Sequence, residues 1–260
     1  MAYDLYYWPD LPGRGEYVRL VLEAAGAPYR DMARLEGPGC GVDGMLAILR
    51  HGHGDAFPFA PPFLIDGATL VSQAAVAAAY VGERHRLAPE DEAGRHFARS
   101  VAATTADFVA EAHDTHHPVG TSLYYEEQKP EALRRAEEFR ETRMPKFLGW
   151  YERLLRRNRA GYLVGEHLSY ADLGLFQTIE GLRYAFPRRM AAIEPDHLRV
   201  VKLAATVAAQ PGIAAYLASD RRHGFAKQPG HVRPVSRETF CRLVQARRTP
   251  KRRQSASSSG

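Results

Sequence analysis

Pro61-Pro62-Phe63-Leu64-Ile65-Asp66-Gly67-Ala68-Thr69-Leu70-Val71 is the stretch that decides the fold. Two short apolar runs flank Asp66-Gly67, a dipeptide that readily takes the positive φ of a tight hairpin, so two antiparallel strands are predicted. Working outward, the Ala-rich run Ala74–Val81 reads as a helix closed by Gly82. Upstream, Gly37–Ala60 holds eight glycines or prolines among its 24 residues, which predicts loop with at most a short helix around Met45–Leu49. Pro28–Leu35 is a candidate strand. Before it, Val18, Val21, Leu22 and Ala25 repeat at helical spacing up to Gly26. The first element, Tyr3–Tyr7, is aromatic and strand-like, and the turn Pro9-Asp10-Leu11-Pro12-Gly13 follows it at once.

The character changes after residue 82. Glu83–Asp91 is charged and contains Pro89, as a linker does. Phe97, Val101, Thr105, Phe108 and Ala112 then run at helical period, and Pro130–Arg157 forms a second long helix bent at Pro145. Further helices are predicted at Tyr170–Arg183, His197–Ala209 and Ile213–Ser219, and no strand is predicted after Val71. The boundaries read 1–82 for a small α/β unit, 83–92 for a linker, 93–225 for an all-helical unit and 226–260 for a basic tail.

Composition excludes several classes of protein. With 45% apolar, 25% charged and 10% aromatic residues, the 260-residue chain is ordinary globular material. Its longest apolar run, Ala74–Val81, is far short of a membrane span. No secretory signal is expected from Met1-Ala2-Tyr3-Asp4, and two cysteines, Cys40 and Cys241, leave no disulfide framework, so a cytoplasmic location is expected. The net charge of +5 is uneven: Arg221–Gly260 carries 11 Lys/Arg against Glu238, leaving Met1–Asp220 at −5. The tail reads as disordered, whether as a solvated extension, a binder of an acidic partner or a nuclear address; no nucleic acid is expected on the acidic body.

Three local motifs carry a family resemblance over residues 3–220. Tyr3-Asp4-Leu5-Tyr6-Tyr7-Trp8-Pro9 with Gly13-Arg14-Gly15 and Arg19-Leu20, then Pro62-Phe63-Leu64-Ile65-Asp66-Gly67 with Gln73, then Ser169-Tyr170-Ala171-Asp172, resemble the cytosolic glutathione transferases of the tyrosine type, Mu, Pi and Sigma. The resemblance implies an α+β fold: a thioredoxin-like α/β domain followed by an all-α helical bundle. It also implies a homodimer, with glutathione as co-substrate and no cofactor or metal.

On that match Tyr7 is the catalytic tyrosine, at the end of its strand, while Tyr6 alternates to the other face. The turn after Trp8 is one residue longer than the family's. Trp8, Arg14, Pro61, Pro62, Gln73, Ala74 and Asp107 fall on the glutathione-binding positions. Either Pro62 is the family's cis-proline, leaving Pro61 to pair with the cysteinyl backbone without an N–H, or Pro61 is cis and Ala60 takes that place. Ala74 replaces the family's hydroxyl residue, so Gln73 and a helix N-terminus would hold the γ-glutamyl carboxylate. Asp107 matches the acid that reaches the γ-glutamyl amine across the dimer interface. Arg50 and His51 are candidates for the glycine end. Ser169 and Asp172 form a capping box, a structural motif. His113, His117 and Tyr124 are assigned to the electrophile cleft rather than to a metal site, because nothing completes a ligand set around His113-Asp114-Thr115-His116-His117.

The expected activity is ionisation of the bound thiol and its addition to a small hydrophobic electrophile, in detoxification, with isomerase and peroxidase chemistry open in the same cleft. The alternative is a non-catalytic member serving as a ligand-binding or assembly module.

Overall fold

The computed structural model describes residues 2–225; the basic tail from residue 226, with Cys241, lies outside the described residues. Strands β1 (Tyr3–Tyr6), β2 (Tyr29–Asp31), β3 (Phe63–Asp66) and β4 (Thr69–Ser72) form one sheet in the order β2-β1-β3-β4. β1 pairs parallel with β2 and antiparallel with β3, setting Leu5 opposite both Asp31 and Leu64. The β3–β4 hairpin turns at Asp66-Gly67 as its sequence predicts, with Gly67 at φ +59°.

Helices α1 (Glu16–Ala24) and α3 (Ala74–Arg84) pack on one face of the sheet and α2 (Gly41–His51) on the other. The strand period divides the side chains accordingly: Tyr3 and Leu5 join the main core, while Tyr6, Phe63 and Ile65 join a second cluster around Met45. α2 is a full eleven residues, longer than its glycines predict. Burial of Met45 with Ile48 and Leu49 packed against the cluster drives it, and Gly44 lets the helix pass the Gly39 carbonyl, which a Cβ there would meet at 2.2 Å. The candidate strand after Pro28 is short, turning into a 3-10 helix at Met32–Arg34.

α3 runs through Gly82 to Arg84. Gly82 is a packing glycine rather than a terminator, since a Cβ would lie 2.6 Å from the Tyr170 ring. The helical part follows: α4 (Glu92–Asp114), α5 (Lys129–Glu138), α6 (Met144–Arg157), α7 (Tyr170–Ala185), α8 (Pro187–Ile193), α9 (Leu198–Ala208) and α10 (Pro211–Leu217). The single bent helix predicted over 130–157 is instead α5 and α6 joined by a π-turn at Phe139–Arg143. Pro145 lacks the N–H that would continue the α ladder, and the wider turn absorbs the break. No single helix among the described residues is long and apolar enough to cross a membrane.

Candidate active site

The chain leaves β1 at Tyr6, and Tyr7 turns inward beneath the loop that leads to α1. The Tyr7 ring is 8% exposed, and its hydroxyl oxygen accepts the Arg14 backbone N–H at 2.9 Å. Two glycines make this fit possible: a Cβ on Gly13 would stand 2.2 Å from the Tyr7 hydroxyl, and one on Gly15 2.5 Å from Cγ of its ring. The turn thus holds the phenol closely. Gly15 has an ordinary helical φ of −65°, so an alanine there would suffer only the clash. Gly15→Ala is expected to destabilise the fold by about 1–3 kcal/mol, as read from denaturant unfolding; unchanged stability would mean that the ring has room to move.

Arg19 stands over the phenol, its guanidinium carbon 5.8 Å from the ring centroid. Burial raises the Tyr7 pKa, and the Arg14 N–H with the Arg14 and Arg19 charges partly opposes it. The hydroxyl therefore keeps its proton at neutral pH. With one lone pair on Arg14 N–H, its hydrogen is left to donate.

Next to this turn lies a cavity of about 310 Å³ between the sheet unit and α4. Arg14 and Tyr17 wall it on one side, Pro61 and Pro62 with Gln73 and Ala74 on a second, and Ala106, Asp107 and Ala110 on a third. Six of the seven expected glutathione positions thus converge on one space: Arg14, Pro61, Pro62, Gln73, Ala74 and Asp107. Tyr7 and Trp8 are not among the lining residues; Tyr7 lies directly behind Arg14, and Trp8 packs against the second cluster.

The Pro61–Pro62 bond is cis, so Pro62 is the cis residue and Pro61 offers only its carbonyl. Gln73 has φ +70°, a left-handed conformation that costs a non-glycine residue on the order of 1 kcal/mol. It turns the chain sharply from β4 into α3, and the first N–H groups of α3 have no intrahelical acceptor. No side chain caps that end, so its amides and partial positive charge are available to an anion. Asp107 is exposed and borders the cavity of its own chain.

His113, His117 and Tyr124 lie beyond this cavity, which α4 leaves at Val109 and Ala110. The His113 and His117 rings are 5.4 Å apart, and His117 Nδ1 meets Gln128 Nε2 at 3.2 Å. The buried Gln128 amide gathers the whole connection, its oxygen accepting the Val119 and Gly120 N–H groups. Burial and the neighbouring imidazoles hold the His116 and His117 pKa values low. No group of three His, Cys, Asp or Glu among the described residues is arranged to hold a metal ion. Arg50 and His51 end α2, exposed and outside the cavity lining.

Tyr17 and Tyr170 are hydroxyl-bearing lining residues that no sequence motif assigns to the site. Tyr17 lies three residues beyond Arg14, on the same helical side, a spacing that would have flagged it. Its hydroxyl is 2.9 Å from Thr178 Oγ1, whose own hydrogen goes to the Gly174 carbonyl at 2.9 Å. Tyr17 is therefore the donor in that pair and its proton is committed.

Sequence and structure comparisons agree with this layout. The profile of the glutathione S-transferase C-terminal domain matches residues 113–220. Glutathione S-transferase A4 of Bos taurus is 30% identical over 186 residues, which are 72% of this chain and 77% of that protein. Prostaglandin synthase D of Nilaparvata lugens superposes with a TM-score of 0.66 at 18% identity, covering 87% of this chain and 100% of that one. The monomeric hookworm glutathione S-transferase Na-GST-3 of Necator americanus gives 0.65 at 20% identity, over 88% and 100%. The folds of the two solved structures match the small thioredoxin-like sheet unit followed by a helical bundle.

Proposed function

The chain belongs to the cytosolic glutathione S-transferase family, and from that premise we propose that it binds reduced glutathione, ionises its thiol with Tyr7 and adds the sulfur to a small hydrophobic electrophile. The observation that supports this reading is the phenol of Tyr7, which accepts the backbone N–H of Arg14 while Arg14 itself walls the cavity, so that the phenol's own hydrogen is left to donate. A free thiol of this kind has a pKa of about 8.5, so only a few per cent is ionised at neutral pH. A hydroxyl donating to sulfur favours the anion, and a depression of about two units corresponds to about 2.7 kcal/mol. Tyr17 is the poorer donor, because its hydrogen already serves Thr178.

In this assignment Pro61 pairs with the cysteinyl backbone through its carbonyl alone, and Gln73 with the α3 N-terminus holds the γ-glutamyl carboxylate. Arg14 supplies positive field and Asp107 takes the γ-glutamyl amine, of its own chain or of a partner. Trp8 supports the turn, and His113, His117 and Tyr124 border the outer approach of the electrophile. No cofactor is needed, since the substrate brings the nucleophile. A cytoplasmic tyrosine-type enzyme of detoxification, assembled as a homodimer, is part of the same proposal. The hookworm relative is monomeric, so sedimentation of this chain tests the dimer separately.

Immobilised glutathione is expected to retain the protein and free glutathione to elute it, with turnover of a halogenated nitroaromatic above the uncatalysed rate. Retention without turnover would favour a non-catalytic ligand-binding module. Neither would remove the function altogether.

A further inference from the structure

Glu16 begins α1, immediately after the turn that covers Tyr7, and it is fully buried. Its Oε2 accepts the Tyr216 hydroxyl of α10 at 3.1 Å and lies 3.4 Å from Nη1 of Arg19, itself fully buried. Arg19 donates from Nε to Asp31 Oδ2 at 2.7 Å and from Nη1 to the Pro12 carbonyl at 3.4 Å. That same carbonyl accepts the Glu16 N–H at 2.9 Å. Arg222, beyond α10, places Nε 3.8 Å from Glu16 Oε1. One carboxylate thus joins the C-terminal end of the described chain to the catalytic turn and to the guanidinium beside the phenol.

We infer that Glu16 and Tyr216 are positioning residues for Tyr7, through which α10 fastens Arg19 and the Pro12–Gly15 turn in the arrangement that thiol activation requires. The inference rests on the glutathione-activating reading above. As a stabilising device the cluster is poor. Glu16 Oε1, Arg19 Nη2 and Asp31 Oδ1 are buried without a hydrogen-bond partner, and buried charges left incompletely paired generally cost more than an apolar replacement would. What the cluster does supply is a fixed place for Arg19. Pro12 O, the Tyr7 ring and Asp31 all depend on where that side chain stands.

A competing arrangement is close at hand. Without the Tyr216 hydroxyl, Glu16 is free to turn toward the unpartnered Arg19 Nη2, drawing the guanidinium from Pro12 and the phenol. Positive field at the sulfur then falls. The other charged groups of the cluster are Asp31, which also meets Arg34 Nη1 at 3.6 Å, and Arg222, at Glu16 Oε1; His223 lies within the field of Arg34, Arg19, Asp31 and Asp10.

Two full-chain variants with opposite expected signs test this, using the ultraviolet absorbance of bound thiolate titrated against pH. Tyr216→Phe should move the midpoint up by about one unit, hence lower kcat/KM about tenfold on the acid side, with glutathione Kd within about twofold. Glu16→Gln keeps an acceptor for Tyr216 and removes a negative charge, so its midpoint should move down. Arg222→Gln, at the cluster's edge, should shift it up slightly and supplies the upward arm if Tyr216→Phe folds poorly. Lowered Tm in these variants with an unmoved midpoint would make the cluster scaffold only and overturn the inference. A parent complex with no thiolate signal would instead bring down the functional reading, and this inference with it.

Discussion

Tyr7→Phe is expected to move the acid limb of kcat/KM upward by about two units and to cut the rate about 50-fold at pH 6.5, with little loss left above pH 9. The arithmetic follows from the thiol. If the bound pKa is lowered from about 8.5 to about 6.5, half of the bound glutathione is thiolate at pH 6.5 in the parent and about one part in a hundred in the variant. Alkaline solution ionises the thiol without help, so the deficit closes there. Glutathione affinity should hardly change, because sulfur is the one part of the tripeptide assigned to the hydroxyl and the rest is held elsewhere. Burial keeps the Tyr7 phenol protonated well into the alkaline range, so the donor itself is not lost as pH rises. Tyr17→Phe is the matched control: it gives up the bond to Thr178, should cost about 1 kcal/mol of stability, and should leave the acid limb in place. A Tyr7→Phe profile that coincides with the parent would take the phenol out of the chemistry; a shifted limb in Tyr17→Phe alone would assign the role to the other ring.

Features set by local chemistry were legible in the sequence. Asp66-Gly67 announces its hairpin because few other pairs take that backbone, and Ser169 with Asp172 announces a helix start because the two side chains cap it reciprocally. Tyr7 could be named from its strand and turn, yet its surroundings could not. Gly13 and Gly15 look like punctuation, and only the structure puts them against a ring. The features that stayed hidden depend on partners distant in sequence. Gly44 breaks a helix by propensity but here lets α2 slide past Gly39. Gly82 reads as a stop and is a seat for Tyr170, 88 positions later in the numbering. Short α8 carries too few turns for a period to emerge. Tyr17 and Glu16 look like the polar face of an amphipathic helix until α7 and α10 arrive to cover them.

Asp172→Ala is expected to cost about 3–5 kcal/mol, well beyond the roughly 1 kcal/mol of an ordinary lost cap. The capping box read from sequence is present at the start of α7, but the carboxylate does more than close it. Asp172 is fully buried and accepts three hydrogen bonds: from Ser169 N–H at 2.8 Å, from the Ser169 hydroxyl at 2.7 Å, and from Leu163 N–H, in the connection after α6, at 2.8 Å. Truncation leaves two buried amides with no acceptor, which is the expensive part of losing a hydrogen bond. The same burial pushes the Asp172 pKa up to about 6, with those donors opposing it. An unfolded aspartate titrates near 4, so between about pH 4 and 6 the native state binds the extra proton. Stability contributed by this group therefore falls as pH rises through that window, by up to about 3 kcal/mol. Asp172→Asn keeps an acceptor oxygen and cannot ionise, so it should lose less than alanine and flatten that part of the pH dependence. Urea unfolding of the three proteins at pH 4.5 and 7 measures both effects. A loss near 1 kcal/mol in the alanine variant, or an identical pH slope in parent and asparagine variant, would reduce Asp172 to a plain cap. Because α7 also carries Gly174 and Thr178, which seat Tyr17 at the cavity wall, the folded fraction of either variant should keep its turnover while the population of folded molecules declines.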